Sequence, residues 1–186
     1  MDGAIGALTQ EVALVARAQA EPNAFAAIYD HYYPRVYTYV RYRVGDKDSA
    51  DDVTAQVFER VLLKIGLYDP EHAPFAAWLF ALARNVVNDY LRSRRRHPWL
   101  PLDALFQHAA NEPPPEAVAV QDERQAELLA AVAKLDARER EIIALKFAGG
   151  LTNRRIAELI GLGEKNVSVI LYRAVRRLRD QLRVKE

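Results

Sequence analysis

Apolar residues in this chain recur at spacings of three and four almost from end to end, and no segment shows a convincing alternation of apolar and polar positions. A strand half-buried on a sheet requires a period of two, whereas a helix burying one face requires 3.6. Helices packed on helices are therefore the architecture open to this sequence. Phe25, Ile28, Tyr29, Tyr32, Val36, Tyr39 and Val40 mark one such face, with Pro34 as an expected kink. Val53, Val57, Phe58, Val61, Leu62 and Ile65 mark a second, and Phe75, Trp78, Leu79, Leu82, Val86 and Leu91 a third. Ser49 or Asp48 is the expected N-cap of the second helix, with Asp51 and Asp52 in the first turn, where the helix dipole favours carboxylates. The stretch LYDPEHAP, with two prolines, reads as a loop.

The periodicity stops after Arg96. HPWLPLDALFQHAANEPPPEAVAV has five prolines and no lysine or arginine, as a tether would, with LDALF its one segment expected to order on a partner. Helices are expected again from Asp122. Asp136 and Glu139 fit a capping box, Gly149-Gly150 a helix stop, and Thr152 a new N-cap. The expected organisation is all-α: a helical domain over 1–97, a Pro-rich linker over 98–121 and a second helical domain over 122–186.

In the second domain a well-patterned helix halts at Gly161-Leu162-Gly163 and restarts at once. A helix-turn-helix has this form, because it must brace one short helix behind another that enters a DNA groove. The tight break favours a left-handed glycine, here Gly161, and the close crossing favours a small residue, here Ala157. Ile156, Ile160, Leu162, Val167, Ile170 and Leu171 are expected to point inward. That leaves Lys165, Asn166, Ser168, Val169, Tyr172, Arg173 and Arg176 outward, a set able to meet base edges, thymine methyls and phosphates.

A second basic face lies in ALARNVVNDYLRSRRR. Arg84, Asn88, Arg92 and Arg95 form one helical stripe, and Asn85, Asp89 and Arg96 a neighbouring one. Arginines at a helix end also suit the dipole alone. Asn and Asp among them favour base contact, since a carboxylate repels phosphate but accepts from base amino groups. Most of the aromatic residues have core spacing, while Tyr68, in the loop, is the exception expected to be open for stacking on a base.

Other classes find little support. The chain has 186 residues, a net charge of +1 and no cysteine, which removes disulfides and zinc–thiolate sites. Its four histidines are scattered and no phosphate-cradling glycine loop is present, so neither an enzyme nor a metal or cofactor site is expected. No apolar run approaches the roughly 20 residues of a membrane span, and the N-terminus lacks the basic start of a secretory signal. A cytoplasmic location without membrane insertion is the simplest expectation. A stand-alone dimeric regulator would need dimerisation heptads, and none is evident.

With both basic faces and the tether in view, the chain resembles the extracytoplasmic-function (ECF, group IV) sigma factors of the sigma-70 family. The resemblance runs from about Leu14 to Leu182 through AFAAIYDHYYPRVYTYV, DDVTAQVFERV, FAAWLFALARNVVNDYLRSRRR, LDAREREIIALKFAGGLT and RIAELIGLGEKNVSVILYRAVRRLR, in the family's order. It implies a sigma-two domain that binds core RNA polymerase and opens the −10 promoter element, and a sigma-four domain that reads the −35 element. Matching positions imply −10 contacts at Tyr68, Asn85, Asp89, Arg92, Arg94, Arg95 and Arg96, with the loop Tyr68 to Pro74 helping to hold a flipped base. They imply polymerase contacts at Asp51, Asp52, Gln56 and Glu59, and −35 contacts on the outward helix face named above. The implied partners are core RNA polymerase, promoter DNA and an anti-sigma protein.

The sequence departs from the family pattern in two places. Ala55 and Gln56 stand where the family usually has glutamine and glutamate. Ser168 and Ile170 replace the usual lysine and arginine, and Gly163 the usual serine cap, which moves expected −35 readout onto Lys165, Asn166, Tyr172 and Arg173. Because the resemblance reaches Leu182, no further C-terminal regulatory domain is expected.

Overall fold

The computed structural model describes residues 2–96 and 116–183, and every regular element among them is helical. The N-terminal half comprises α1 (Asp2–Ala20), α2 (Phe25–Val44), α3 (Lys47–Lys64) and α4 (Phe75–Arg96), with short 3-10 turns before α2 and after α3. The C-terminal half comprises α5 (Glu116–Ala133), α6 (Ala137–Ile143), a π-helical turn (Ala144–Ala148), α7 (Asn153–Ile160) and α8 (Glu164–Arg183). Helix α5 starts at Glu116, ahead of the expected Asp122. The LDALF segment lies outside the described residues.

Helix α2 is the axle of the fold. Ile28, Tyr32, Val36, Tyr39 and Val40 are fully buried along it, as their spacing requires, whereas Phe25 is half-buried and Tyr29, expected on the same face, is 40% exposed. Pro34 does not end it, and Thr38 Oγ1 donates to the Pro34 carbonyl at 2.8 Å. Helices α3 and α4 supply Val53, Val57, Val61, Phe75, Leu79, Phe80 and Val87 to the same core. Helix α1 packs beside them, and Gln19 Nε2 donates to the carbonyls of Ile65 (3.0 Å) and Tyr68 (2.8 Å). It thereby ties the loop after α3 to the N-terminal helix.

The N-cap of α3 is Asp46, not Ser49 or Asp48. Gly45 closes α2 at φ +94°, so the chain turns immediately and Asp46 is the residue left in extended conformation (φ −80°, ψ 154°). A cap must hold that conformation, and Ser49, already helical, instead donates its backbone N–H to Asp46 Oδ1 at 2.8 Å. The capping box at Asp136 and Glu139 forms as expected, as does the Thr152 cap of α7.

The two halves share part of their apolar core. Ile142, Ala144, Leu145, Ala148, Leu151, Ile156, Ala157 and Val167 belong to the same apolar cluster as the buried face of α2. The π turn makes this contact: its wider ring, closed by Gly149 N–H to Ala144 O at 3.0 Å, accompanies Leu145 and Ala148 inside and Phe147 outside. A smaller cluster of Ala131, Val132, Leu135, Ile143, Ala174 and Leu178 joins α5, α6 and α8, with Tyr42 of α2 against it. Because Leu145 is fully buried in the shared cluster, Leu145→Ala is expected to cost about 2–5 kcal/mol. Denaturant unfolding followed by separate probes in each half should show both transitions moving together.

Candidate nucleic-acid interface

The break between α7 and α8 has the geometry that a helix-turn-helix needs. Gly161 is left-handed at φ +72°, and its N–H and that of Leu162 both reach the Ala157 carbonyl. Ile156, Ala157 and Val167 are buried, with Ile160, Leu162, Ile170 and Leu171 packed against the core. A side chain at Gly161 would meet no neighbouring atom, so its backbone conformation alone is what selects glycine there.

On the opposite side of α8, Lys165, Asn166, Ser168, Val169, Tyr172, Arg173 and Arg176 are all exposed. Tyr172 has 69% of its surface open and Val169 47%, so both are accessible to a partner on this face. Ser168 is less free than the others, since its hydroxyl donates to Glu164 O and accepts from Asn153 Nδ2, both at 3.0 Å. It stitches α8 to α7. Arg177, among the arginines nearby, turns away from this face to pair with buried Glu139 at 2.9 Å.

The second face lies on α4. Asn85, Asp89, Arg92, Arg94, Arg95 and Arg96 are exposed, and Asp89 pairs with Arg92. Arg94 reaches back 3.3 Å to Asp46 at the start of α3. Burial pushes the Asp46 carboxyl upward, but hydrogen bonds from Ser49 and the charge of Arg94 outweigh it and hold the carboxyl below its ordinary value. A carboxyl depressed by folding contributes stability above its unfolded pKa and loses it as pH falls through the folded value. Asp46→Asn keeps a capping oxygen without the charge. Its melting temperature should therefore decline less than the parent's between about pH 5 and about pH 3, as read by circular dichroism.

Tyr68 corrects the expectation of an open ring. It is 8% exposed, its hydroxyl donates to Ala73 O at 3.0 Å, and its ring lies 5.1 Å from Phe75 and 5.4 Å from Trp78. The aromatic ring that the sequence offered for stacking instead braces the loop from inside. The rest of that loop is pinned by Asp69, which accepts from Glu71 N–H (2.9 Å) and contacts His72 Nδ1 (2.8 Å).

Asp51, Asp52, Gln56 and Glu59 are exposed along α3. Beyond them, Leu62, expected on the buried face of this helix, is instead 48% exposed. With Leu63 (74%) and Leu67 (78%) it forms an apolar strip that the expected polymerase contacts did not include. Also absent from the expected set were Arg35, Arg43 and Glu141, which link the halves. Arg43 is buried and lies at the i+3 and i+7 positions from Val40 and Val36. An arginine on a core register was the available signal.

Residues 28–97 match the family model for sigma-70 region 2, and residues 125–178 that for sigma-70 region 4. The ECF RNA polymerase sigma factor BldN of Streptomyces coelicolor is 37% identical over 89% of this chain, which spans 63% of that relative's length. The ECF RNA polymerase sigma factor RpoE of Cereibacter sphaeroides is 31% identical, with 89% of this chain and 90% of that one covered. Two solved structures share the fold. The sigma factor RpoE of Bartonella quintana, in complex with the anti-sigma factor NepR, superposes with TM-score 0.68 at 22% identity, over 87% of this chain and 98% of that one. CnrH in complex with the cytosolic domain of CnrY superposes with TM-score 0.66 at 24% identity, over 95% and 99%.

Proposed function

The chain belongs to the extracytoplasmic-function group of the sigma-70 family of RNA polymerase sigma factors, and from that premise we infer how its surfaces divide the work of promoter recognition. It directs promoter-specific transcription initiation by binding core RNA polymerase and recognising the −35 and −10 elements. Sigma factors are initiation factors rather than catalysts, so bond formation is left to the polymerase.

The observation that carries this reading is the pair of separate exposed basic faces, on α4 and on α8, each inside one of the two matched regions. On α8, Lys165 and Asn166 at the N-terminal end, with Tyr172 and Arg173 further along, read base edges of duplex −35 DNA, and Arg176 tracks phosphate. Ser168 chiefly orients α8. On α4, Asn85 and Asp89 meet bases of the −10 region, while Arg92 and Arg94 to Arg96 neutralise its backbone. Tyr68 supports this site as the inner brace of the adjoining loop.

Helix α3 meets the polymerase through Asp51, Asp52, Gln56 and Glu59. Leu62, Leu63 and Leu67 extend that surface with apolar area suited to a protein partner. An anti-sigma protein is the further expected partner, and the α3 surface and the exposed Phe147 are where it would compete.

Run-off transcription with core RNA polymerase, followed by sequencing of the starts, tests the reading. Discrete start sites that depend on the added chain are expected; their absence with every core enzyme tried, the cognate one included, would refute it. The charge map adds a quantitative check. Removing one phosphate-binding side chain should lower the slope of log affinity against log salt by about 0.9 on duplex and ~0.7 on single strands. Replacing Arg94, Arg95 and Arg96 together by Gln should therefore flatten the slope by about 2–3.

A further inference from the structure

Glu141 of α6 stands between two arginines of the other half. Its Oε1 lies 2.9 Å from Arg43 Nη1 and 2.8 Å from Arg84 Nε. The Arg84 contact is a directed hydrogen bond, whereas the Arg43 contact is an ion pair without that alignment. Arg43 is 8% exposed, and its Nη2 donates to Asn88 Oδ1 at 2.9 Å. Arg43, Arg84 and Asn88 thus converge from α2 and α4 on one carboxylate of the C-terminal half. Nearby, Arg35 donates to Ala148 O (3.2 Å) and Gly149 O (2.6 Å) while its guanidinium lies over the Tyr32 and Phe80 rings.

Two guanidiniums sharing one carboxylate oxygen are not indifferent to its departure. Were the halves to separate, Arg43 and Arg84 would be left as neighbouring positive charges without the carboxylate oxygen they now share. An open chain therefore calls for another anion at this point. The neighbourhood names its class, because Arg84 and Asn88 continue the α4 stripe that holds Arg92 and Arg95, beside the Asn85 and Asp89 face. Guanidiniums grip phosphate oxygens with the geometry they use for carboxylate oxygens.

We propose that Arg43, Arg84 and Asn88 form a binding site for a backbone phosphate of promoter DNA, and that Glu141 occupies this site in the closed chain. Closure of the two halves and phosphate binding here exclude one another. Nucleic acid reaching α4 releases the C-terminal half, and the released half carries its own DNA face. This inference rests on the promoter-binding reading of α4 and extends that face inward to residues hidden at the domain contact.

The absence of cysteine permits labelling of the full chain at Ala16→Cys and Ala130→Cys, exposed positions on α1 and α5, for energy transfer between the halves. The probe is a short abasic deoxyribose-phosphate strand, which offers backbone without bases. Saturating strand should lower the transfer of the parent chain. Glu141→Gln should show low transfer without strand and bind the strand about tenfold more tightly. Arg84→Gln should also show low transfer but gain no affinity, since it loses the site along with the latch. Circular dichroism checks that each variant is folded. Unchanged transfer at saturating strand, or equal strand affinity in the two variants, would overturn the proposal. Run-off transcription by the parent chain separates the two levels: specific starts alongside those negative results remove the phosphate site alone, whereas no specific start removes the promoter reading beneath it.

Discussion

The contact of Glu141 with Arg43 and Arg84 is the constraint on which the arrangement of this molecule depends. Ion pairs removed from water tend to lose as much in desolvation as they gain in attraction. What such a pair supplies is register, since the charges tolerate few alternative placements. Here it sets α6 against α2 and α4 so that the π turn delivers Leu145 and Ala148 to the α2 face. The glycine pair next to the π turn completes the fit. A side chain at Gly150 would come within 2.9 Å of the Arg35 guanidinium, and one at Gly149 within 2.6 Å of the Leu145 carbonyl. Apolar burial supplies the stabilisation, and the polar contacts decide which faces receive it.

Closure does not seal the candidate DNA faces. Asn85 and the arginines at the end of α4 remain exposed, and so do Lys165, Asn166, Tyr172 and Arg173 on α8. The core common to the halves draws instead on the opposite sides of these helices, Val86 and Val87 on α4 and Val167 on α8. Each helix thus serves two purposes through its periodicity, with one face for packing and the other for a nucleic-acid partner. What closure covers is the inner edge of the α4 face, at Arg84 and Asn88, while Asp89 pairs with Arg92 on the open side.

Much of this was legible in the residues themselves. The Asp136–Glu139 capping box, the Thr152 cap and the left-handed Gly161 are local features, governed by a few neighbouring dihedrals, and they stand as the pattern predicts. The outward face of α8 follows from helical periodicity alone. Features that depend on long-range contact were harder to read. Tyr68 turned inward because Phe75 and Trp78 offered it an aromatic pocket and Ala73 an acceptor, none of which its loop composition advertised. The cap of α3 moved to Asp46 because Gly45 ended the preceding helix so abruptly. The shared core was hidden for a related reason: a proline-rich segment signals a tether, but says nothing of whether the bodies it joins also have complementary faces. Arg43, buried on a core register, was a mark of that complementarity.

Small-angle X-ray scattering from the free chain in dilute solution measures the closed arrangement most directly. Packed halves predict a radius of gyration near the ~16 Å of a compact chain of this length. A value above about 20 Å, unchanged on dilution, would mean that the halves stand apart in solution and that Glu141 holds nothing together.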